Sequence, residues 1–484
     1  MSARRLVGLA IAVVLAVGPG QAAAAATAKD GPRPARWDDR VLPYVKFIER
    51  TRGRPFKHPI PVEFLADKPF VKKLGEGNAK PTKKEREESA HESGQLHALG
   101  LIDDDVDLIG AGNDLDAADT VGFYDTDTKR MYVRGKSLKD VEVRATIVHE
   151  LTHAFQDQYF DLDRLDAQAT TSGAEFAETA LVEGDATLTE QKYVDTLSKK
   201  DQDAYYGTGD QSSTGDANVE NPLPDGVPAA LDVFSSAPYV LGSSYVYLLE
   251  AIGPYEVDHA FRHPPVSDEE IIDPLAWREN QRPLHVATPK LEAGETRTTH
   301  PDEIGALELY LMLASRIDLP TAFRAATGWG GDRSIGFTRG KGDCLRDRLE
   351  GDTRRDLDEI DAALTKWAGT LPAGAATVDQ HGDTVELTTC EAPGVVAPDP
   401  DTLDAAVFST LDNRLILTTE FFDSFGASVR SARCAADRMV VDPALGPIIQ
   451  RLYTDGISVK DLSKDDRKTF QATSAKYLAG CGVT

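Results

Sequence analysis

Five consecutive residues, His149-Glu150-Leu151-Thr152-His153, constrain this chain more than any other stretch. Histidines at i and i+4 stand one turn apart on the same helix face, so both imidazoles can reach one metal ion. Zinc accepts such nitrogens at about 2.0–2.1 Å and, in catalytic sites, takes three protein ligands and leaves one position to water. Glu150 points about 100° round the helix from the first histidine and can reach that water as a general base. The flanking residues predict the helix. Ser137 with Asp140 reads as a capping box, and Val141, Ala145, Val148, Thr152, Phe155 and Tyr159 form one mostly apolar stripe at helical spacing. His149, His153 and Asp157 form the adjacent stripe, at the edge of the buried face, where a half-open site belongs.

The composition sets the surroundings. A length of 484 residues allows two or three domains, and 41% hydrophobic residues is ordinary for a soluble globular protein. Arg4 and Arg5, an apolar run from Leu6 to Val17, and an alanine-rich segment from Gln21 to Ala28 follow the order of a secretory signal peptide. Cleavage is expected within Ala24 to Ala28, giving an exported chain with no membrane anchor. Net charge is −26, or −28 once the two signal arginines are gone, which argues against nucleic acid and anionic membranes as partners. Four cysteines, Cys344, Cys390, Cys434 and Cys481, all lie in the last third and none has metal-ligand spacing. In an exported chain they predict two disulfides. The sequential pairs Cys344–Cys390 and Cys434–Cys481 are expected, because each closes one local unit.

Read in order, the chain predicts a helix over Leu42–Arg50, a strand over Ile60–Leu65 and a charged, solvated helix over Pro81–Leu99. Asp103–Ala118, acidic and glycine-containing, reads as loop. Val121–Tyr124 and Met131–Val133 form a hairpin directly before the His helix, with a strand that an extended peptide can join. A second helix runs from Ser172, capped with Glu175, towards Lys200, and Gly184 inside it marks either a functional neighbour or a close backbone approach, expected where this helix crosses the His helix. Lys199–Pro228 reads as a loop. Pro238–Ile252, Ser267–Ile272, Pro301–Ile317 and Thr321–Thr327 read as helices, and Trp329–Arg333 as a glycine-rich turn. Beyond Gly340 the reading is a strand at Thr384–Thr389, a helix at Leu403–Phe422, a strand at Arg438–Val441 and helices to Leu478.

A third metal ligand must come from elsewhere. The metzincin arrangement needs Gly at position 156 and His at 159, where Gln156 and Tyr159 stand, so it is excluded. A gluzincin supplies a glutamate from a following helix and an aspartate-ligand zincin an aspartate before Y-G, and Glu183, mid-helix beside Gly184, is the expected ligand. Glu178, Glu175 and Asp203 are the alternatives.

The run from His149 to Tyr159, HELTHAFQDQY, resembles the active-site helix of the thermolysin-like gluzincin metallopeptidases, including an aspartate four residues past the second histidine, here Asp157. With the preceding hairpin and Leu181-Val182-Glu183-Gly184-Asp185-Ala186 it also resembles poorly characterised exported bacterial HExxH proteins, over Leu42 to Arg333. The resemblance implies a zinc peptidase fold. It departs from the gluzincin pattern E-x-x-x-D at Thr187, where the aspartate that holds the first histidine would stand; Asp157 or Asp185 is then expected to hold it. Tyr239, Tyr245, His259 and His263 are candidate donors to the transition state.

The expected fold is α+β: a zincin-like catalytic core, a mostly helical second half and a small disulfide-stapled C-terminal α/β module. The expected divisions are a signal peptide at 1–26, an N-terminal α/β segment at 27–120, a catalytic region at 121–340 and the stapled module at 341–484. The expected activity is a secreted zinc metallopeptidase acting on peptide or protein substrates, with zinc on His149, His153 and Glu183 and Glu150 as general base. The alternative is an exported zinc-binding protein that interacts without cleaving; a purely structural site needs no carboxylate at position 150 and tends to be closed by a fourth ligand.

Overall fold

The computed structural model describes residues 33–75, 81–103, 106–135, 137–206, 226–273, 275–454 and 456–483. The expected signal peptide lies outside them. Within them the protein is α+β, built on a three-stranded and a five-stranded sheet, and it carries the disulfides Cys344–Cys390 and Cys434–Cys481. No described helix is long and apolar enough to cross a membrane.

The N-terminal half runs α1 (Leu42–Arg52), β1 (Val62–Leu65), α2 (Asp67–Leu74), α3 (Lys83–Ala98), α4 (Leu108–Asp119), β2 (Gly122–Asp125) and β3 (Arg130–Arg134). There follow α5 (Val141–Phe160), α6 (Leu162–Asp166), α7 (Ser172–Asp195), α8 (Lys199–Tyr205) and α9 (Ala229–Ile252). The small sheet has the order β1-β3-β2, with β1 parallel and β2 antiparallel to β3. Its core face, Met131 and Val133, packs with α1 and with Val141, Ala145, Val148 and Phe155 of α5, four of the six residues in the predicted stripe. Asp140 itself caps α5, accepting the Glu142 amide at 3.1 Å, whereas the Ser137 hydroxyl accepts from the Lys139 amide. Likewise α7 is capped by Thr171, because the hydroxyl of Ser172 is turned to Asp302 at 2.6 Å.

Behind α5 lies α7, and behind α7 lies α9, apolar on nearly every face. A Cβ built on Gly184 of α7 would stand 2.1 Å from the Gly242 carbonyl carbon of α9, and one on Gly242 would stand 2.0 Å from the Ala180 oxygen. Glycine is therefore required at this crossing, because any side chain would separate two backbones in contact. The close approach expected at Gly184 is real, but its partner is α9 rather than the His helix. A quarter-turn round α7 then faces Glu183 and Glu190 towards α5.

The second half contains the sheet β4 (Glu295–Arg297), β5 (Trp329–Arg339), β6 (Gly342–Gly351), β7 (Ala376–His381) and β8 (Thr384–Cys390), antiparallel throughout in the order β4-β5-β6-β8-β7. Cys344 and Cys390 are direct partners across β6 and β8, so their disulfide joins neighbouring strands. The boundary expected at 340/341 falls in the turn between β5 and β6, and one buried core continues from Leu99 through α7, α9 and the sheet to Ile449.

Several expected elements differ. The expected loop Asp103–Ala118 holds the helix α4 from Leu108 onward, with Leu108, Ala111 and Leu115 burying one face, while 104 and 105 lie outside the described residues. Lys199–Tyr205 is the helix α8, while 207–225 of that expected loop lie outside the described residues. Pro238 sits inside α9, which begins at Ala229. Trp329–Arg333 opens β5 instead of forming a turn, and the expected strand at Arg438–Val441 is the end of the helix Val429–Val440, next to which Val441 is the cap.

Candidate metal centre

Residues 149–153 occupy the middle of α5, so their backbone is fixed by the helix and by the core beneath it. The Nε2 of His149 stands 3.0 Å from Glu183 Oε2, and the Nε2 of His153 stands 3.3 Å from the same oxygen. One donor atom from each of the three residues lies within 4.8 Å of the others. Two donors about 2.1 Å from a tetrahedral metal stand roughly 3.4 Å apart, so the set fits a small divalent ion with borderline ligands. Among the described residues no fourth His, Cys, Asp or Glu joins the group. Of the carboxylates considered for the third position, Glu183 is the one that converges; Asp203 pairs with Lys199 on α8. Glu175 lies further up α7, outside the group.

Both imidazoles are oriented from behind. His149 Nδ1 lies 3.0 Å from Glu190 Oε2, and Tyr205 of α8 donates its hydroxyl to the other oxygen of Glu190 at 2.7 Å. His153 Nδ1 lies 3.0 Å from Gln156 Oε1. Gln156 in turn donates to the Val182 carbonyl and to Asp185 Oδ2, both at 2.9 Å, and Asp185 is ion-paired with Arg52 of α1. A neutral imidazole that donates its Nδ1–H to these partners turns its Nε2 lone pair towards the site. The outer partner expected to be Asp157 or Asp185 is thus Glu190 for His149, while Asp185 reaches His153 only through Gln156. Asp157 instead accepts from the Tyr124 hydroxyl at 2.7 Å and binds Lys129. Glu190 lies seven residues past Glu183, two helical turns along the same face, and that spacing is the signal in the sequence that identifies it.

Glu150 is 5% exposed and directed at the small sheet. Its Oε2 accepts the backbone N–H of Tyr124 at 2.8 Å, and Gly122, the first residue of β2, leaves room beside its side chain. Of the four candidate transition-state donors only Tyr239 lies over the site, its ring 6.3 Å from that of His149. Tyr245 packs against Trp277, and His259 and His263 lie against each other with tilted rings at an exposed helix end.

The charges are strongly coupled. Burial pulls His149 and His153 down, but the Glu183 carboxylate beside both, and Glu190 beside His149, outweigh it and raise them above the usual histidine range. Burial likewise pushes Glu183 up, yet the two imidazoles hold it far below the usual carboxylate range. Glu150 is raised by burial, which the nearby histidines only partly offset. A carboxylate that is ionised, buried and paired is what a metal ligand requires.

Beside His153 and Glu183 a half-open pocket of about 250 Å³ is walled by Tyr124, Leu162, Val182, Asp163, Asp166 and Glu178. Burial, then Asp166 and Glu183, push the Glu178 carboxyl up to about 8.

The Glu190 contact carries a prediction. Glu190→Ala should weaken divalent-metal retention by roughly 10–100-fold, the usual cost of losing such an outer partner, and Tyr205→Phe should weaken it less. Competition against a chromophoric chelator measures both. Unchanged retention in Glu190→Ala would mean that the carboxylate does not hold His149.

A family profile described as a domain of unknown function (DUF8575) matches residues 295–405. That span contains all five strands of the second sheet and stops short of α5 and α7. No curated protein and no solved structure matches the chain.

Proposed function

We propose that the protein is an exported zinc-dependent peptidase with a zincin-like core, hydrolysing peptide bonds at the α5–α7 site. The observation that carries this reading is the setting of Glu150. It stands one residue from His149, takes no part in the three-donor group, and is held beside it by the Tyr124 amide of the small sheet. A zinc ion held by His149, His153 and Glu183 would supply a water of lowered pKa and polarise a carbonyl oxygen. Glu150 then accepts the water's proton and returns it to the leaving amine. His149 and His153 keep their Nε2 atoms forward because Glu190 and Gln156 hold Nδ1. Strand β2 is the edge of the small sheet nearest Glu150, so an extended substrate backbone can lie along it. The two disulfides support an oxidising compartment, and the acidic surface supports a soluble exported protein.

The test is metal content by elemental analysis of purified protein, followed by digestion of an unbiased peptide mixture before and after chelation. About one zinc per chain is expected, with cleavage lost on removal of the metal and regained when zinc is added. A folded chain that binds zinc and cleaves nothing would favour the interaction protein without catalysis.

A further inference from the structure

The pocket beside His153 and Glu183 has a composition that selects its occupant. Its side walls include Leu162 and Val182, apolar surfaces for a hydrocarbon stem. Its polar lining is carboxylic: Asp163 and Asp166 from α6 and Glu178 from α7. Asp163 is balanced, because the Lys129 amine bridges it at 3.0 Å to Asp157. Asp166 and Glu178 have no such cation; neither forms an ion pair or side-chain hydrogen bond with another described residue, and Glu178 is half-buried where it reaches into the pocket. An apolar substrate side chain would strip water from the half-buried Glu178 and return nothing, while an acidic one would be repelled by Asp166, which is exposed at the pocket's rim. A long cationic side chain satisfies both parts, its methylenes against Leu162 and Val182, its charge against the Asp166 carboxylate and its N–H groups donating to the Glu178 carboxyl, whose ionised form an arriving cation favours. The excess of negative charge over the whole chain, −26, favours the approach of cationic peptides to the protein as well.

We propose that this pocket receives a lysine or arginine side chain of the substrate, at a residue flanking the scissile bond, which makes basic peptides the substrate class. The inference rests on the peptidase reading, and the pocket adjoins the ligands His153 and Glu183 without containing the general base.

Binding and cleavage separate the two ideas. The binding arm uses the full mature chain carrying Glu150→Gln, loaded with zinc, and calorimetry with four peptides that differ at one residue: lysine, arginine, norleucine or glutamate. The lysyl and arginyl peptides should bind about tenfold or more tightly than the norleucyl peptide, and the glutamyl peptide weakest. Adding Glu178→Gln or Asp166→Asn should pull the lysine-to-norleucine affinity ratio towards one, with zinc content and circular dichroism confirming that each variant is folded. Equal binding of norleucine and lysine peptides, no binding of the basic peptides, or a ratio that ignores both substitutions overturns the pocket assignment. The cleavage arm uses the zinc-loaded wild-type chain with the same peptides. Basic peptides that bind by the expected pattern but are never cut would leave the pocket standing and remove the peptidase reading. Efficient cutting without the basic preference would do the reverse.

Discussion

Replacing Glu150 by glutamine should lower peptide hydrolysis by about 10²–10⁴-fold while leaving metal content and thermal stability near those of the parent chain. The separation follows from where the carboxylate sits. His149, His153 and Glu183 converge without it, so a glutamine there takes nothing from the metal. The amide side chain has nearly the same shape, and its oxygen can still accept the Tyr124 N–H that Glu150 accepts at 2.8 Å. What glutamine cannot do is take a proton from water and give it back. The loss should therefore fall on the turnover rate, with little change in affinity for substrate. Elemental analysis, a melting curve and rates on one peptide make the comparison. A Glu150→Gln protein with full activity would show that the proton goes elsewhere, and the general-base assignment would fall.

How much of this could be seen in the sequence depended on how local each feature is. The His helix was legible because its ligands, its apolar stripe and its start all lie within one stretch, and Val141, Ala145, Val148 and Phe155 are buried as their spacing requires. The disulfides were legible because each joins cysteines fewer than fifty residues apart, 46 and 47 in sequence. Local composition misled where tertiary packing decides. The glycines and acids of 103–118 resemble a loop, yet Leu108, Ala111 and Leu115 give α4 an inner face. Met439 and Val440 resemble a strand only until Ala432, Ala435 and Ala436 continue the same buried face as one helix. Gly330 and Gly331 resemble a turn, but they let β5 pass close to Gly351 and Leu284. The outer partners of the histidines were the least legible part. Arg52, Asp185, Glu190 and Tyr205 come from three different helices, and only the stacking of α1, α5, α7 and α8 brings them together. The same holds for Gly184, whose need for close approach was plain while its partner, Gly242, was not.

The third ligand is where sequence and geometry join, and its removal should have the other large effect. Glu183 Oε2 is shared by the two imidazoles, 3.0 Å from one Nε2 and 3.3 Å from the other, so the carboxylate closes the donor triangle. Two histidines alone hold zinc weakly, because the third donor sets both the affinity and the open fourth position. Glu183→Ala should therefore lose metal and activity together, with affinity falling beyond the roughly 10–100-fold that an outer partner such as Glu190 costs. The fold should survive, since Glu183 lies on the half-open side of α7 and the Gly184–Gly242 crossing is untouched. Glu183→Asp shortens the side chain by one methylene and should weaken coordination without abolishing it. Asp203→Ala is the control, because Asp203 is tied to Lys199 on α8 and stands outside the donor group; it should keep both metal and activity. Metal content after dialysis and the cleavage rate on one substrate read all three variants. If Glu183→Ala kept one zinc per chain and normal turnover, the third ligand would have to be one of the other carboxylates, with Glu178 the nearest alternative at the pocket wall.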